Sequence, residues 1–285
     1  MGCKDSKPLN YEEFIKLMRR RNLRQILNRE FNEVTLKEQC AVENVEAPIL
    51  PKENKSGANI SVYYLDSWAQ KRRFICTQAP REKTEFKFWR MILKHRVQII
   101  VMLCEDSEEQ FYKYWESDEG VVKTVRPFRI ETVKVKYFSN YKVTTLDVTN
   151  NATGEFLEVI HFACTDWVQF CTIQGTIDFC NFIHDIRSVS EGKKNNLLYK
   201  RVRDCIAPIV VHCTYGFRAA EVFCAIDNSS SEYDANHTIS LPLTVAKIRE
   251  QKHKSFINFS DYILCYILMF RFVTLIRAEE ICSSR

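Results

Sequence analysis

Residues 208–227 read PIVVHCTYGFRAAEVFCAID. An apolar, β-branched run with no polar alternation ends at a His-Cys pair, and after a short loop an apolar run of helical character begins. A strand that does not alternate has both faces buried, as strands of parallel sheets do. VQIIVML at 97–103 is a second run of the same kind. Strands covered on both faces need helices above and below them, which restricts the chain to an α/β architecture.

The remaining segments fit that frame. Residues 11–34 space Phe14, Ile15, Met18, Leu23, Ile26, Leu27 and Phe31 at helical intervals, with a break near residue 21. Residues 46–58, with Pro48, Pro51, Asn54 and Gly57, read as a loop. ISVYYLDSW at 60–68 and RFICTQAP at 73–80 are rich in aromatic and β-branched residues and read as strands. TEFKFWRMILKHR at 84–96 is an amphipathic helix with Thr84 as its cap. From 121 to 164, VVKTVRPFRI, ETVKVKYFS, YKVTTLDVT and EFLEVIHFAC read as successive antiparallel strands. TIDFCNFIHDIRSV, AAEVFCAIDN, LPLTVAKIREQ and FSDYILCYILMFRFVTLI are helices. The expectation is a central mixed sheet with helices on its faces, in one domain over 11–285 behind an N-terminal segment over 1–10.

Composition narrows the partners. The net charge of +5 comes from 41 basic and 36 acidic side chains. That is mild, and nucleic-acid binding needs a clustered basic patch. ArgArgArg at 19–21 and LysArgArg at 71–73 read as solvated faces, so no nucleic-acid partner is expected. No apolar stretch is read as long enough to span a bilayer. The twelve cysteines include no C-x-x-C pair and follow a polar start, MGCKDSKPLNYEEF. No disulfide framework is expected, and a reducing cytoplasm fits better. His161, His184, His237 and His253 form no metal-ligand pattern, and neither metal nor cofactor is expected. Gly2, with Ser6 four residues on, fits the N-myristoylation pattern, and Cys3 is placed for a second acyl chain. A single myristoyl chain binds membranes only marginally, so stable peripheral anchoring would need both.

Several motifs then point one way. FICTQAP, EFKFWRMI, IIVMLCE, HFACTDW, and PIVVHC followed by FCAID occur in the order and form in which the classical, tyrosine-specific protein tyrosine phosphatases carry Y-I-A-T-Q-G-P, D-F-W-R-M-V, I-V-M-L-T, the approach to W-P-D, and the two flanks of the phosphate loop. Residues 11–275 resemble that family. The resemblance implies a single tyrosine phosphatase domain built on a central twisted mixed β-sheet flanked by α-helices. The MGC start and SLPLTVAKIREQKHKSF at 240–256 are similar to the phosphatase-like proteins of bracoviruses, the polydnaviruses of parasitoid wasps. That implies a cytoplasmic place in host cells and host signalling proteins as partners.

The family's reaction passes through a cysteinyl-phosphate. A cysteine attacks phosphorus, an aspartate protonates the leaving phenolate, and an arginine in the loop H-C-S-A-G-x-G-R-[ST]-G grips two phosphate oxygens. Laid on that loop without a gap, Cys213 takes the nucleophile position. Thr214, Tyr215, Gly216 and Phe217 follow. Arg218 falls on the second glycine, Ala219 on the arginine and Ala220 on the Ser/Thr. For Arg218 to act as the clamp, the loop would have to shorten by one residue. Successive side chains at a helix start diverge by about 100°, so from its gapless position it aims elsewhere.

Other roles are missing too. Trp167-Val168-Gln169 stands where the family has W-P-D, so Gln169 replaces the general acid. Asp166 is the nearby carboxylate and reads as a loop residue. Aligned on Tyr262, the water-positioning glutamines become Ile257 and Asp261, with Asn258 one position off. The tyrosine that sets pocket depth aligns with Val42, in Cys40-Ala41-Val42, while Tyr63 and Tyr64 read as sheet or core residues. His212 reads as a structural hydrogen-bonding residue.

Three readings of function follow: an inactive phosphatase-like protein that binds partners, phosphotyrosine proteins among them; a weak or divergent phosphatase using Cys213 and Arg218; and a membrane-tethered scaffold working through MGCKDS.

Overall fold

The structure is a computed structural model that describes residues 7–42, 60, 62–103, 112–164, 166–170, 172, 175–195, 207–214, 216, 218–252, 255 and 258–283. The chain divides into two compact units. One takes in residues 1–48, 65–71 and 221–285, the other 49–64 and 72–220.

The second unit holds the sheet. Its strands are β2 (Val62–Leu65), β3 (Phe74–Gln78), β4 (Ile99–Leu103), β5 (Val122–Val125), β6 (Phe128–Tyr137), β7 (Tyr141–Asn150), β8 (Glu155–Cys164) and β9 (Ile209–Cys213), in the order β2-β3-β9-β4-β8-β7-β6-β5. β3, β9, β4 and β8 run parallel to one another, and β8, β7, β6 and β5 form an antiparallel meander. The two uniformly apolar runs are the central strands β4 and β9, and every residue in them is buried.

Alternation along the strands places one helix on each face. Phe88, Trp89, Ile92 and Leu93 of α3 (Glu85–Lys94) pack with Ile75, Ile100, Met102, Ala163 and Val210. On the opposite face Phe182 of α5 (Gly175–Asn195) meets Tyr141 and Phe162. Thr84 sits at the N-cap of α3 but does not cap it. Its hydroxyl is turned back to Arg81, accepting from that residue's N–H at 2.9 Å and donating to its carbonyl at 3.2 Å. A one-turn helix, α4 (Trp167–Phe170), follows β8.

In the first unit, α1 (Tyr11–Met18) and α2 (Leu23–Val42) break where the sequence places the break. Asn10 and Glu13 form a reciprocal capping box at the start of α1. Helices α6 (Ala219–Asn236), α7 (Leu241–Gln251) and α8 (Phe259–Ser283) complete the helical set, and a two-residue pairing joins β1 (Leu9–Asn10) to β10 (Thr238–Ile239). Contrary to the reading of the bare sequence, α8 carries an apolar stretch of mean hydropathy 1.7 that could cross a bilayer by length and composition alone. Its Tyr262, Cys265, Tyr266, Met269 and Val273 are buried inside the protein, as in a core helix. Tyr262 and Tyr266 both donate to Glu30 Oε1 of α2, Tyr262 at 2.5 Å. Desolvation holds the Glu30 carboxyl above its ordinary range despite those two hydrogen bonds.

Candidate active site

Strand β9 ends at Cys213 with a neighbour on each side, Gln78 of β3 and Leu103 of β4. Helix α6 begins at Ala219. The intervening turn is held by backbone. The Cys213 carbonyl accepts from Ala79 N–H at 3.0 Å and from Gly216 N–H at 3.2 Å. Gly216 has φ +76°, and a Cβ there would lie 2.7 Å from Gln78 N and 2.9 Å from Gln78 Cγ. Only glycine satisfies both the left-handed backbone and that close approach. Tyr63 donates from its hydroxyl to the Gly216 carbonyl at 2.8 Å. This gives Tyr63, read from the sequence as a sheet residue, a part in holding the loop.

Arg218 follows with φ +61° and is exposed. A non-glycine residue in this region is uncommon, and it occurs at the position where the family pattern has its second glycine. Laid on the family pattern without a gap, the left-handed residue is an arginine where the pattern has glycine. Ala219, first residue of α6, is 2% exposed, and Ala220 is buried as well. In the same alignment Ala219 falls on the family's arginine, and at the head of α6 it carries a buried methyl group. Thr214 is half-buried, and its Oγ1 is buried without a hydrogen-bond partner. Tyr215 and Phe217 lie outside the described residues.

Behind the loop lies a fully buried polar cluster. The Tyr114 hydroxyl is 2.6 Å from His161 Nε2 and 2.6 Å from His212 Nε2. A phenol has one proton, so Tyr114 donates to one imidazole and accepts from the other. Both imidazoles are neutral. Desolvation lowers His212 to about 3, and desolvation, with His212 and Lys142 nearby, pushes His161 well below its ordinary value. Nδ1 of each has no hydrogen-bond partner. Phe88 and Trp115 close around them, with ring centroids 5.9 Å from His212 and 4.2 Å from His161 respectively. His212 is thus a structural residue and supplies no positive charge to its neighbour. Nothing in the sequence pairs Tyr114 with either histidine, which lie 47 and 98 positions away; the fold brings the segment after β4 back against β8 and β9.

The segment aligned with the acid loop leaves the same edge of the sheet as Cys213. Cys164, the last residue of β8, is level with Leu103, which is level with Cys213. Two strand spacings separate them, about 10 Å. Asp166 is half-buried, and Trp167 through Phe170 form α4, with Trp167 and Phe170 packed edge-on against Phe179. Gln169 is in that helix, so its turn carries no carboxylate at the acid position.

Ile257, Gly2 and Cys3 lie outside the described residues. Asn258 is exposed just before α8, and Asp261 is buried in its first turn. Val42 is the last residue of α2. Glu221, in the first turn of α6, is buried and accepts from Lys252 Nζ at 2.7 Å and Ser255 Oγ at 3.0 Å.

A family model described as protein-tyrosine phosphatase matches residues 19–271. Tyrosine phosphatase H2 of Microplitis demolitor bracovirus is 32% identical over 94% of this chain and 89% of its own length. Tyrosine phosphatase-like protein J1 of the same virus is 33% identical over 96% and 98%. The likeness to bracovirus proteins expected from the sequence is borne out. The crystal structure of the catalytic domain of human protein tyrosine phosphatase non-receptor type 18 superposes with a TM-score of 0.71 at 17% identity, over 87% of this chain and 96% of that one, a likeness of fold. With a strand, turn and helix built around Cys213 and a family match running through most of its length, the chain belongs to the protein-tyrosine phosphatase family.

Proposed function

We propose that this protein is a catalytically inactive member of the family that acts by binding protein partners, phosphotyrosine proteins of host signalling among them, in the cytoplasm of host cells. The observation that carries this reading is the buried Ala219 at the head of α6, with Arg218 occupying the left-handed glycine position before it. A preorganised charge clamp contributes about 10²–10³ in rate. A positioned general acid contributes about 10²–10⁴. Such effects do not add within one catalytic unit, but either loss alone removes most turnover, and both groups are replaced here. The turn after Cys213 leads into the start of α6, and a helix start favours an anion, which supports binding of an oxyanion more than its transformation.

The test is turnover of an aryl phosphate by the full-length protein beside Cys213→Ser. Equal, background rates are expected. Hydrolysis abolished by Cys213→Ser would establish the second reading, a weak cysteine-dependent phosphatase. That reading is favoured by Cys213 itself, kept at the end of β9 ahead of α6.

A further inference from the structure

The charge of this chain is concentrated in one place. Residues 16–29, KLMRRRNLRQILNR, carry six cations and no carboxylate. The chain's net charge is +5, from 41 basic and 36 acidic side chains, so outside this stretch the remaining 35 basic groups are offset by all 36 acids. The structure folds the stretch into a corner. Arg19 caps the C-terminus of α1, its N–H bonded to the Ile15 carbonyl, and Leu23 N–H bonds to the Arg20 carbonyl as α2 begins. Phe14, Ile15 and Leu27 are buried, while Lys16, Arg19, Arg20, Arg21, Arg24 and Arg29 are all exposed. None of these six forms an ion pair among the described residues. By contrast Lys7, near the other end of α1, sits 3.8 Å from Glu13. A cluster this dense repels itself, and among the described residues neither packing nor pairing with this chain's own acids accounts for it.

We propose that the α1–α2 corner is a docking surface for anionic lipid, holding the protein on the cytoplasmic face of a membrane. Three observations select this occupant. The cluster is a single compact corner with no aromatic side chain between residues 16 and 29, whereas nucleic-acid surfaces interleave a basic stripe with stacking rings. The rest of the chain is close to neutral, with 35 basic groups against 36 acidic ones. Finally, Gly2 stands eight residues before Asn10, where α1 begins. An extended chain of that length spans about 27 Å, and α1 itself is about 12 Å long. An acyl group on Gly2 is thus tethered within about 27 Å of the start of α1. One acyl chain gives marginal attachment, and a polybasic patch is the second element that makes it stable. Near an anionic surface each basic side chain strengthens binding about fivefold.

The experiment is sedimentation of the full-length, unacylated protein with vesicles of phosphatidylcholine alone or with about one-third phosphatidylserine, at low and high salt. Binding is expected with the phosphatidylserine vesicles at low salt and not with phosphatidylcholine. Arg19→Gln with Arg20→Gln should weaken it at least tenfold, with an unchanged circular dichroism spectrum and melting curve. Lys134→Gln with Lys136→Gln removes the same charge from exposed positions on β6 and should leave binding within about twofold. Equal weakening by the two pairs, or equal sedimentation with both vesicle types, overturns the proposal. So does tighter binding of RNA or a phosphotyrosine peptide through the same arginines at the same salt.

Discussion

Replacing Gly216 by alanine measures how much of the phosphate loop is held by its backbone. Two costs arise at once. At φ +76° an L-residue sits in the left-handed region, a cost of about 1–2 kcal/mol. The smaller entropy of the unfolded alanine chain offsets about 0.4–1 kcal/mol of it. The new methyl group also meets Gln78 N at 2.7 Å and the Thr77 carbonyl carbon at 3.0 Å. Those are backbone atoms of β3, held in register with Cys213 of β9, so they cannot turn aside as a flexible side chain would. Overpacking of this kind adds about 1–3 kcal/mol. The sum is about 3 kcal/mol. Gly154, in the same unit, has φ +73° with nothing within 4 Å of a built Cβ, and it isolates the first cost. Gly154→Ala should lose about 1 kcal/mol or less. Urea unfolding of both variants beside the parent measures the difference as a shift in midpoint at constant slope. Losses equal within about 0.5 kcal/mol, the usual error of such comparisons, would mean that the turn yields freely and that the loop is not fixed by its contact with β3.

Arg218→Gly with Ala219→Arg should restore an arginine to the head of α6 and relieve the left-handed strain, raising phosphate or vanadate affinity at least tenfold by calorimetry; no gain counts against the gapless register. Acid should destabilise the fold through the buried imidazoles. His212 titrates near 3 in the folded chain and near 6.5 when unfolded, so below 6.5 the unfolded state takes up protons that the folded state refuses. Stability is then flat above pH 6.5 and falls by about 1.4 kcal/mol per pH unit toward 3, about 2 kcal/mol by pH 5. His161 acts in the same direction; a urea midpoint that does not fall between pH 7.5 and 5 refutes a neutral buried pair. Glu30→Gln should stabilise at pH 8, because burial raises the Glu30 carboxyl and disfavours its charged form, and the advantage should shrink as the pH falls toward its titration in the folded state; the check is the difference in midpoint at pH 8 and pH 5. Tyr63→Phe should cost about 1 kcal/mol by losing its hydrogen bond to Gly216.

Much of this was legible in the residues because it rests on periodicity and punctuation. The unalternating runs at 97–103 and 208–213 gave away the buried parallel strands, and the alternating stretch from 121 to 164 its meander, because side-chain burial in a sheet follows the pleat. The break between α1 and α2 was visible as a lapse in helical spacing. What was not legible depends on partners distant in sequence. Tyr63 reaches Gly216 across 153 positions, and Tyr114 meets His212 across 98. No local pattern encodes either meeting. Thr84 misled for a local reason: its hydroxyl has the chemistry of a cap, but the preceding turn at Arg81 uses it first. The apolar length of α8 escaped notice because Tyr262, Asp261 and Arg271 interrupt it, although its average hydropathy remains high.

The positive φ at Arg218 separates two histories that look alike in the bare sequence. Had one loop residue been deleted, the arginine would enter α6 as its first residue with ordinary helical backbone, and a neighbour would adopt the left-handed turn. Instead the left-handed residue is Arg218 itself and the helix starts one position later. The strained turn persists because its supports do not depend on catalysis: the Gly216 contact with β3, the Tyr63 hydroxyl, and the Ala79 bond to the Cys213 carbonyl are all made without an arginine at 219. A loop held in this way keeps its shape when its charge is lost, so an intact cradle is no evidence that the chemistry survives.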